Sequence, residues 1–167
     1  MFAKLVAIEG PDKVGKATQS SMLTHVLRRY GDRVALVEVP FNDRVTYPLI
    51  YWMLKHGQAR RHPNLFQFVQ FCNKLIFQWT KLLWLRLTCS YVVLDRWSLS
   101  AIVYGDATGV NPVFNRILYW LLTKPTVTVV LHGSSFKRQE ADDVFEKDTD
   151  LQKAVRRGYY DWVQDHP

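Results

Sequence analysis

A glycine-rich stretch near the start of the chain has the residue types that bind phosphate. Residues 10 to 16, Gly-Pro-Asp-Lys-Val-Gly-Lys, match the G-x-x-x-x-G-K part of the G-x-x-x-x-G-K-[ST] pattern. In that pattern the glycines let backbone N–H groups surround phosphate oxygens, the following helix adds its dipole, and the lysine reaches the outer phosphates. The residues predicted to bind a nucleotide are Gly10, Pro11, Asp12, Lys13, Val14, Gly15, Lys16, Ala17 and Thr18.

One position of this loop departs from the pattern. Ala17 stands where a serine or threonine hydroxyl normally binds Mg²⁺. Thr18 does not replace it directly, because one residue along a helix turns the side chain by about 100°, and we expect Thr18 to serve an inner phosphate. Mg²⁺ usually keeps several waters, so a nearby carboxylate can still hold it. Asp95, in VVLDRW, is the predicted metal-binding residue.

The elements that must position these residues alternate between strands and helices. Nearly continuous apolar runs, typical of strands covered on both faces, lie at 4–9, 33–39, 91–95 and 127–132. Helical patterns are predicted at 16–30, 47–57, 64–88, 112–123 and 149–164. This order predicts an α/β fold with a parallel sheet flanked by helices on both faces. Residues 1–167 are expected to form a single domain, with a charged lid segment at about 133–148.

Composition limits the kinds of partner and location that are expected for the protein, but it does not identify a function. The net charge of +7 implies affinity for anions, whether nucleic acid, a membrane surface or phosphate-bearing small molecules. Basic clusters at 55–62 and 153–157 are interpreted as solvated surface rather than a nucleic-acid site. No apolar run approaches the roughly 20 residues of a membrane span, and no secretion signal is recognised, so a cytoplasmic protein without membrane contacts is expected. Cys72 and Cys89 are predicted to be buried reduced thiols.

Three motifs, in order and together spanning nearly the whole chain, carry a family resemblance. EGPDKVGKATQS is followed about eighty residues later by DRWSLSAIVYG, and then by DDVFEKDTDLQKAVRRGYYDWV. The sequence resembles the thymidylate kinase family. The resemblance implies a P-loop NTPase core that transfers the γ-phosphoryl group of ATP to a deoxynucleoside monophosphate, usually dTMP, with Mg²⁺. Members tend to be dimeric through their helices, so a homodimer is expected, in the host cytoplasm if the source is viral.

The resemblance also implies roles for individual residues. Asp12 and Lys13 match the carboxylate and the basic residue that eukaryotic and viral members have in this loop. Together with Lys16 and Arg96 they form the expected catalytic set. Arg96 matches the arginine that holds the acceptor phosphate. The expected acceptor-binding residues are Asp12, Pro40, Arg44, Gln70, Lys74, Arg96, Ser100 and Tyr104. Within this set, the aromatic residue matched by Tyr104 closes on the sugar, which favours deoxyribose.

The sequence departs from the family pattern at positions that contact each of the two substrates. A stacking phenylalanine and a base-reading arginine, common in the long helix, are Gln70 and Lys74 here, which leaves the preferred base open. In the lid, Val144 replaces an arginine that meets phosphates, and Lys137 and Arg138 are expected to supply its charge. The family usually continues beyond the position of Pro167 through a fifth strand, an adenine-contacting loop and a last helix, so the sequence is either a shortened member or a fragment.

Two functions from these motifs remain open. An active kinase is the first, and a nucleotide-binding protein with little or no transfer activity is the second, because Ala17, Val144 and the missing last segment all fall on nucleotide contacts. A GTPase is disfavoured. The Asn73-Lys74 pair lies in an apolar helix and lacks the following Asp that would read guanine.

Overall fold

A computed structural model describes residues 2–133 and 148–166 of the chain. Its described strands form one four-stranded sheet in the order β2-β3-β1-β4, and each neighbouring pair is parallel. The strands are β1 (Lys4–Glu9), β2 (Val34–Glu38), β3 (Tyr91–Asp95) and β4 (Val127–Val130). All four predicted strands are therefore present, with β2 and β4 shorter than expected.

The helices of the described residues connect and cover these strands. A π-helical segment, Gln78–Leu82, joins two of them into one long rod. The helices are α1 (Lys16–Arg29), α2 (Thr46–Lys55), α3 (Gln58–Arg61), α4 (Pro63–Phe77), α5 (Leu83–Thr88), α6 (Ser98–Ala107), α7 (Pro112–Trp120) and α8 (Thr149–Asp165).

The core lies on both faces of the sheet. On one face, Leu5, Ala7 and Leu94 pack with side chains of α4, α5 and α7. On the other, Val6, Ile8, Val34 and Val93 pack against leucines of α1. The alternation of side chains along β1 explains why this strand is apolar throughout. The predicted α/β fold with helices on both faces is confirmed.

The carboxyl ends of three strands meet at one edge of the sheet. Ile8 is level with Asp95 in the β1–β3 pair, and Glu38 is level with Asp95 in the β2–β3 pair. Open parallel sheets bind ligands at this edge. The phosphate loop begins here, directly after Glu9.

The structure differs from the sequence prediction in four places. The helix predicted at 64–88 contains the π-helical segment between α4 and α5, and a short helix, α3, follows α2. Helix α6 was not among the predicted helices, because it is buried on several sides and its apolar residues do not form a clean stripe. Cys72 and Cys89 are free thiols, half-buried rather than buried. The predicted lid lies, except for its first and last residues, outside the described residues.

Helix α6 sits unusually close to its neighbours at Gly105. A Cβ atom on Gly105 would lie 2.3 Å from the Gln67 amide nitrogen and 2.5 Å from that of Asn115. The Asn115 amide donates to the Ile102 carbonyl at 3.0 Å, and the Gln67 amide donates to the Ala101 carbonyl. Gly105 thus allows buried amides of α4 and α7 to bind the backbone of α6.

None of the helices in the described ranges 2–133 and 148–166 is long and apolar enough to cross a membrane.

Candidate active site

The phosphate loop joins β1 to α1 with a backbone that only certain residues adopt easily. Gly10 has a φ of 142°, and a Cβ there would lie 2.5 Å from the Leu131 carbonyl oxygen, so β1 and the end of β4 can approach only at a glycine. The first hydrogen bond of α1 runs from Gln19 N–H to the Gly15 carbonyl at 3.0 Å. The N–H groups of Lys16, Ala17 and Thr18 therefore have no partner within the helix, as anion binding requires.

Lys16 is a buried cation inside this loop. Its side chain is 7% exposed, and its ammonium donates a hydrogen bond to the Pro11 carbonyl. Burial, together with the nearby Arg96 cation, lowers the pKa of Lys16 to about 8, while Asp12 and Asp95 oppose the shift. The ammonium is thus held at the centre of the loop by backbone and by neighbouring carboxylates.

Asp12 links the loop to two helices from the other side of the cleft. Its carboxylate pairs with the Arg96 guanidinium and accepts hydrogen bonds from the Tyr104 hydroxyl at 2.6 Å and the Gln152 amide at 2.8 Å. Burial raises the pKa of Asp12, but the Arg96 cation and these donors outweigh it and lower the pKa overall. Asp12 is therefore held ionised where β1, α6 and α8 converge.

Arg96 is directed into the cleft by its own backbone. It follows β3 with a φ of 70°, and its N–H donates to the Ile8 carbonyl at 3.0 Å. Its guanidinium carbon lies 5.5 Å from the centre of the Tyr104 ring. Burial lowers the pKa of Arg96, but its neighbours Tyr104 and Asp12 raise it overall. The guanidinium thus stays charged and faces the phosphate loop.

A cavity of about 310 Å³ opens between Arg96 and the helices beyond it. It brings together most of the predicted acceptor-binding residues. Its walls include Asp12, Pro40, Gln70, Lys74, Arg96, Ser100 and Tyr104, along with Glu38, Val39, Leu54, Phe66, Gln67, Trp97, Ala101 and Thr108. A small acceptor molecule bound there would have its anionic end at Arg96, next to the loop.

Gln70 and Lys74, one turn apart on α4, form the polar part of the far wall. The Lys74 ammonium donates to the Gln70 carbonyl oxygen at 3.2 Å. Lys74 is only 2% exposed. Burial lowers the pKa of Lys74 to about 8, with Glu9 opposing and Arg96 adding to the shift. The two side chains act as a unit whose unused N–H donors are available to a ligand.

Glu9 fixes the start of α6. Its Oε1 accepts from the N–H groups of Trp97 at 2.9 Å and Leu99 at 3.2 Å, and its Oε2 accepts from the Ser100 N–H at 3.1 Å and from the Ser100 hydroxyl. The Tyr159 hydroxyl of α8 donates to the Ser100 oxygen at 2.7 Å. Burial raises the pKa of Glu9. The hydroxyl of Ser100 is thus engaged within the protein, although Ser100 lines the cavity.

Asp95 is the described carboxylate best placed for a metal ion. It is 8% exposed at the end of β3, and burial raises its pKa while the cations of Arg96 and Lys16 oppose this. Its carboxylate has no side-chain hydrogen-bond partner within 2–133 and 148–166, which leaves its oxygens for an ion or its waters. No cluster of three or more His, Cys, Asp or Glu in those ranges forms a complete metal cage. One carboxylate beside a phosphate loop suits Mg²⁺, which keeps most of its waters.

One predicted acceptor-binding residue lies away from the cavity, and two predicted lid residues fall in the part of the chain that is not described. Arg44 is exposed and is absent from the cavity walls. The turn that carries it is fixed by Asn73, whose amide accepts from Phe41 N–H at 2.8 Å and donates to the carboxylate of Asp43 at 2.6 Å. That turn places Pro40, not Arg44, at the wall. Lys137 and Arg138 lie outside the described residues.

Three polar residues at the site were missed by sequence reasoning. They are Glu9, Gln67 and Gln152. Glu9 had a usable signal, since a carboxylate ending an otherwise apolar strand must find buried donors. The two glutamines had none, because nothing in a helical pattern distinguishes an inward glutamine from an exposed one.

Comparison with known proteins gives relatives of one kind. No family model matches the chain. A protein of Pyrobaculum aerophilum called "Probable thymidylate kinase" is 30% identical over 127 residues, which is 75% of this chain and 62% of that protein. The "Thymidylate kinase" of African swine fever virus is 29% identical over 108 residues, 64% of this chain and 44% of that protein. The chain thus spans less than two thirds of the length of either relative.

Two solved thymidylate kinases have the same fold as this chain. A thymidylate kinase from Candida albicans, described as having broad substrate specificity, superposes with a TM-score of 0.74 at 22% identity, covering 96% of this chain and 77% of that one. A thymidylate kinase from Ehrlichia chaffeensis superposes with a TM-score of 0.73 at 20% identity, covering 100% and 85%. The resemblance predicted from the motifs is confirmed: the chain is similar in sequence to proteins called thymidylate kinases, and it has the P-loop NTPase fold of the solved ones.

Proposed function

We propose that this protein transfers the γ-phosphoryl group of ATP to a deoxynucleoside monophosphate, with dTMP giving dTDP as the main reaction. The observation that carries the proposal is the ion pair between Asp12 of the phosphate loop and Arg96 of the cavity. It sets the donor-phosphate site and an anion-binding cavity side by side. The named relatives support the same reaction.

The chain's own residues act by position and charge. Arg96 binds the acceptor phosphate, for which a planar guanidinium supplies two parallel donors. Lys16, Lys13 and the first N–H groups of α1 hold the ATP phosphates and offset charge on the transferring group. The bond between the γ-phosphorus and the β,γ-bridging oxygen breaks, and an oxygen of the acceptor phosphate forms the new bond. Asp12 orients Arg96, and the Tyr104 ring packs against the sugar of the acceptor.

Mg²⁺ is proposed as the accompanying ion. Asp95 would hold it through water, and Thr18 would contact an inner phosphate. When bound, the ion neutralises phosphate charge. Among residues 2–133 and 148–166, no side chain hydrogen-bonds the Asp95 carboxylate, which supports this assignment, and Ala17 contributes no ligand.

The test is acceptor-dependent formation of ADP. Purified protein with ATP and Mg²⁺ is assayed with dTMP, dUMP, dCMP and dGMP and without acceptor. We expect ADP to form chiefly with dTMP. Binding of ATP without acceptor-dependent ADP would instead support the second function, a nucleotide-binding protein without transfer, which the missing hydroxyl at Ala17 favours.

We further propose a homodimer, formed through an apolar face that runs along α4, the π-helical segment and α5. Residues spaced by three, four or eight positions along this rod are 37% to 69% exposed: Leu65, Phe68, Ile76, Trp79, Leu83 and Leu87. Monomers rarely leave such faces open. Light scattering after gel filtration should give twice the chain mass. Trp79→Glu should give the monomer, while Tyr160→Glu on α8 should not.

The partners are proposed to be nucleotides, in the cytoplasm, rather than nucleic acid. Several basic residues of the two clusters have roles within the fold. Arg60 pairs with Asp148 at 2.8 Å, Arg156 donates to the Gly133 carbonyl at 2.7 Å, and Lys153 pairs with Asp150 at 3.1 Å. Weak, salt-sensitive DNA binding is therefore expected at most.

A further inference from the structure

Tyr119 of α7 is a buried residue directly behind the acceptor cavity. It is 4% exposed and is not one of the cavity-lining residues. Its hydroxyl donates to the Gln67 side-chain oxygen at 3.1 Å, and its ring meets the Phe71 ring edge-on at 6.1 Å between centres. The ring is therefore fixed at both ends and cannot swing away from α4.

The face of this ring lies next to the Lys74 ammonium. The nitrogen is 5.6 Å from the ring centre, within the range of a cation–π contact. No carboxylate of residues 2–133 or 148–166 forms an ion pair with Lys74; Glu9 and Arg96 are the charged groups that act on it from β1 and β3. A buried ammonium needs a partner, so Tyr119 and Gln70 supply what a carboxylate would otherwise provide.

This arrangement turns an excess of hydrogen-bond donors toward the ligand. An ammonium has three N–H donors, of which Gln70 accepts one. One lone pair of the Gln70 oxygen is thereby occupied, and the Gln70 NH₂ group has two donors. A base carbonyl can accept from this wall, whereas an exocyclic amino group would face donors with its own donor.

We propose that Tyr119 is a positioning residue that holds the Lys74 ammonium against the cavity wall and thereby selects acceptor nucleotides whose base presents a carbonyl oxygen at pyrimidine C4 or purine C6. The inference rests on the proposed function for the identity of the ligand as a nucleoside monophosphate. It extends that function to uracil and guanine nucleotides and disfavours cytosine and adenine nucleotides. The selectivity resides in Lys74 and Gln70, and Tyr119 acts through Lys74.

The matched probes are dUMP and dCMP, whose bases differ at C4, which carries a carbonyl in uracil and an amino group in cytosine, and at N3, which carries a hydrogen only in uracil. Dissociation constants are measured by calorimetry without ATP, so that binding is read even where turnover is absent. We expect the wild type to bind dUMP about 30-fold more tightly, the size of one hydrogen bond to a charged group. Tyr119→Leu should reduce this ratio to within about threefold of one, as should Lys74→Met.

Tyr119→Phe is the control, because it keeps the ring under Lys74 and loses only the hydroxyl bond to Gln67. It should retain the preference for dUMP. Melting temperatures of all variants are recorded, and a loss of stability alone would weaken both nucleotides equally without changing their ratio. A wild type with no preference, or a Tyr119→Leu variant that keeps it, would overturn the inference.

The same data separate this inference from the proposed function. Preferential binding of dUMP without acceptor-dependent ADP would sustain the inference and refute the kinase. Turnover with equal affinity for dUMP and dCMP would sustain the kinase and refute the inference. Absence of binding by either nucleotide would refute the inference, and acceptor-dependent ADP formation with dTMP would decide the proposed function separately.

Discussion

The two halves of the cleft are built in different ways. The phosphate loop is one contiguous stretch whose anion-binding groups are backbone N–H groups, set by Gly10 and by the start of α1. The acceptor wall consists mainly of side chains from α2, α4 and α6, together with Arg96 and residues that follow β1 and β2, and it draws on residues from 12 to 108. We therefore expect the loop to tolerate side-chain changes such as Ala17, whereas the acceptor wall should depend on each side chain and its partners. Substitutions on the two sides should consequently differ in size and kind.

The largest expected effect comes from removing the cation of the acceptor wall. Arg96→Ala leaves Asp12 without its ion-pair partner and removes the anion-binding group, so kcat/KM for dTMP should fall by about 100-fold to 1000-fold. The dissociation constant of a non-hydrolysable ATP analogue should change by less than about threefold.

Arg96→Lys is the matched control, because it keeps the charge without the planar fork, and it should recover part of the loss. Equal losses of acceptor turnover and ATP affinity in Arg96→Ala would show that the two halves are not separable in the way proposed.

The next effect concerns Glu9, which fixes the start of α6 beside the phosphate loop. Glu9→Gln places an NH₂ group among the N–H donors of Trp97, Leu99 and Ser100, so the free energy of unfolding should fall by about 2 to 4 kcal/mol. Ser100→Ala removes one donor and should cost about 1 kcal/mol. Urea unfolding at constant pH measures both, and a loss below about 0.5 kcal/mol for Glu9→Gln would contradict a structural role for this carboxylate.

A smaller effect is expected from pH. Burial holds the pKa of Lys74 at about 8, so its ammonium loses a proton as pH rises through that value. Affinity for dTMP without ATP should weaken by several-fold, up to about tenfold, between pH 7 and pH 9. Lys74→Arg keeps its charge throughout and should flatten the profile. An unchanged slope in that variant would assign the titration to another group, such as Lys16, whose pKa is also about 8.

The smallest effect should come from the loop itself. Ala17→Ser restores the hydroxyl of the G-x-x-x-x-G-K-[ST] pattern, so the concentration of Mg²⁺ that gives half-maximal rate should fall by a few-fold. Acceptor affinity should not change. A loss of rate together with weaker Mg²⁺ dependence would mean that the first turn of α1 does not face the metal.

The same difference explains what could be predicted from the sequence. The loop and all four strands were predicted because a contiguous pattern determines each of them. Arg96 and Tyr104 were placed at the cleft by a motif. By contrast, Gln152 binds Asp12 from a helix 140 positions away, and Tyr119 supports Lys74 from 45 positions away. Such contacts depend on how helices pack, which single-sequence periodicity does not encode. Arg44 was assigned from loose spacing, and its turn instead points Pro40 into the cavity.

The most direct test of the central claim is a crystal structure with a bisubstrate ligand in which adenosine and thymidine are joined by five phosphates. We predict that the adenosine-side phosphates contact the N–H groups of Gly15 to Thr18, and that the phosphate next to thymidine contacts the Arg96 guanidinium. A complex in which no phosphate contacts Arg96 and the thymidine lies outside the cavity would contradict the proposed kinase.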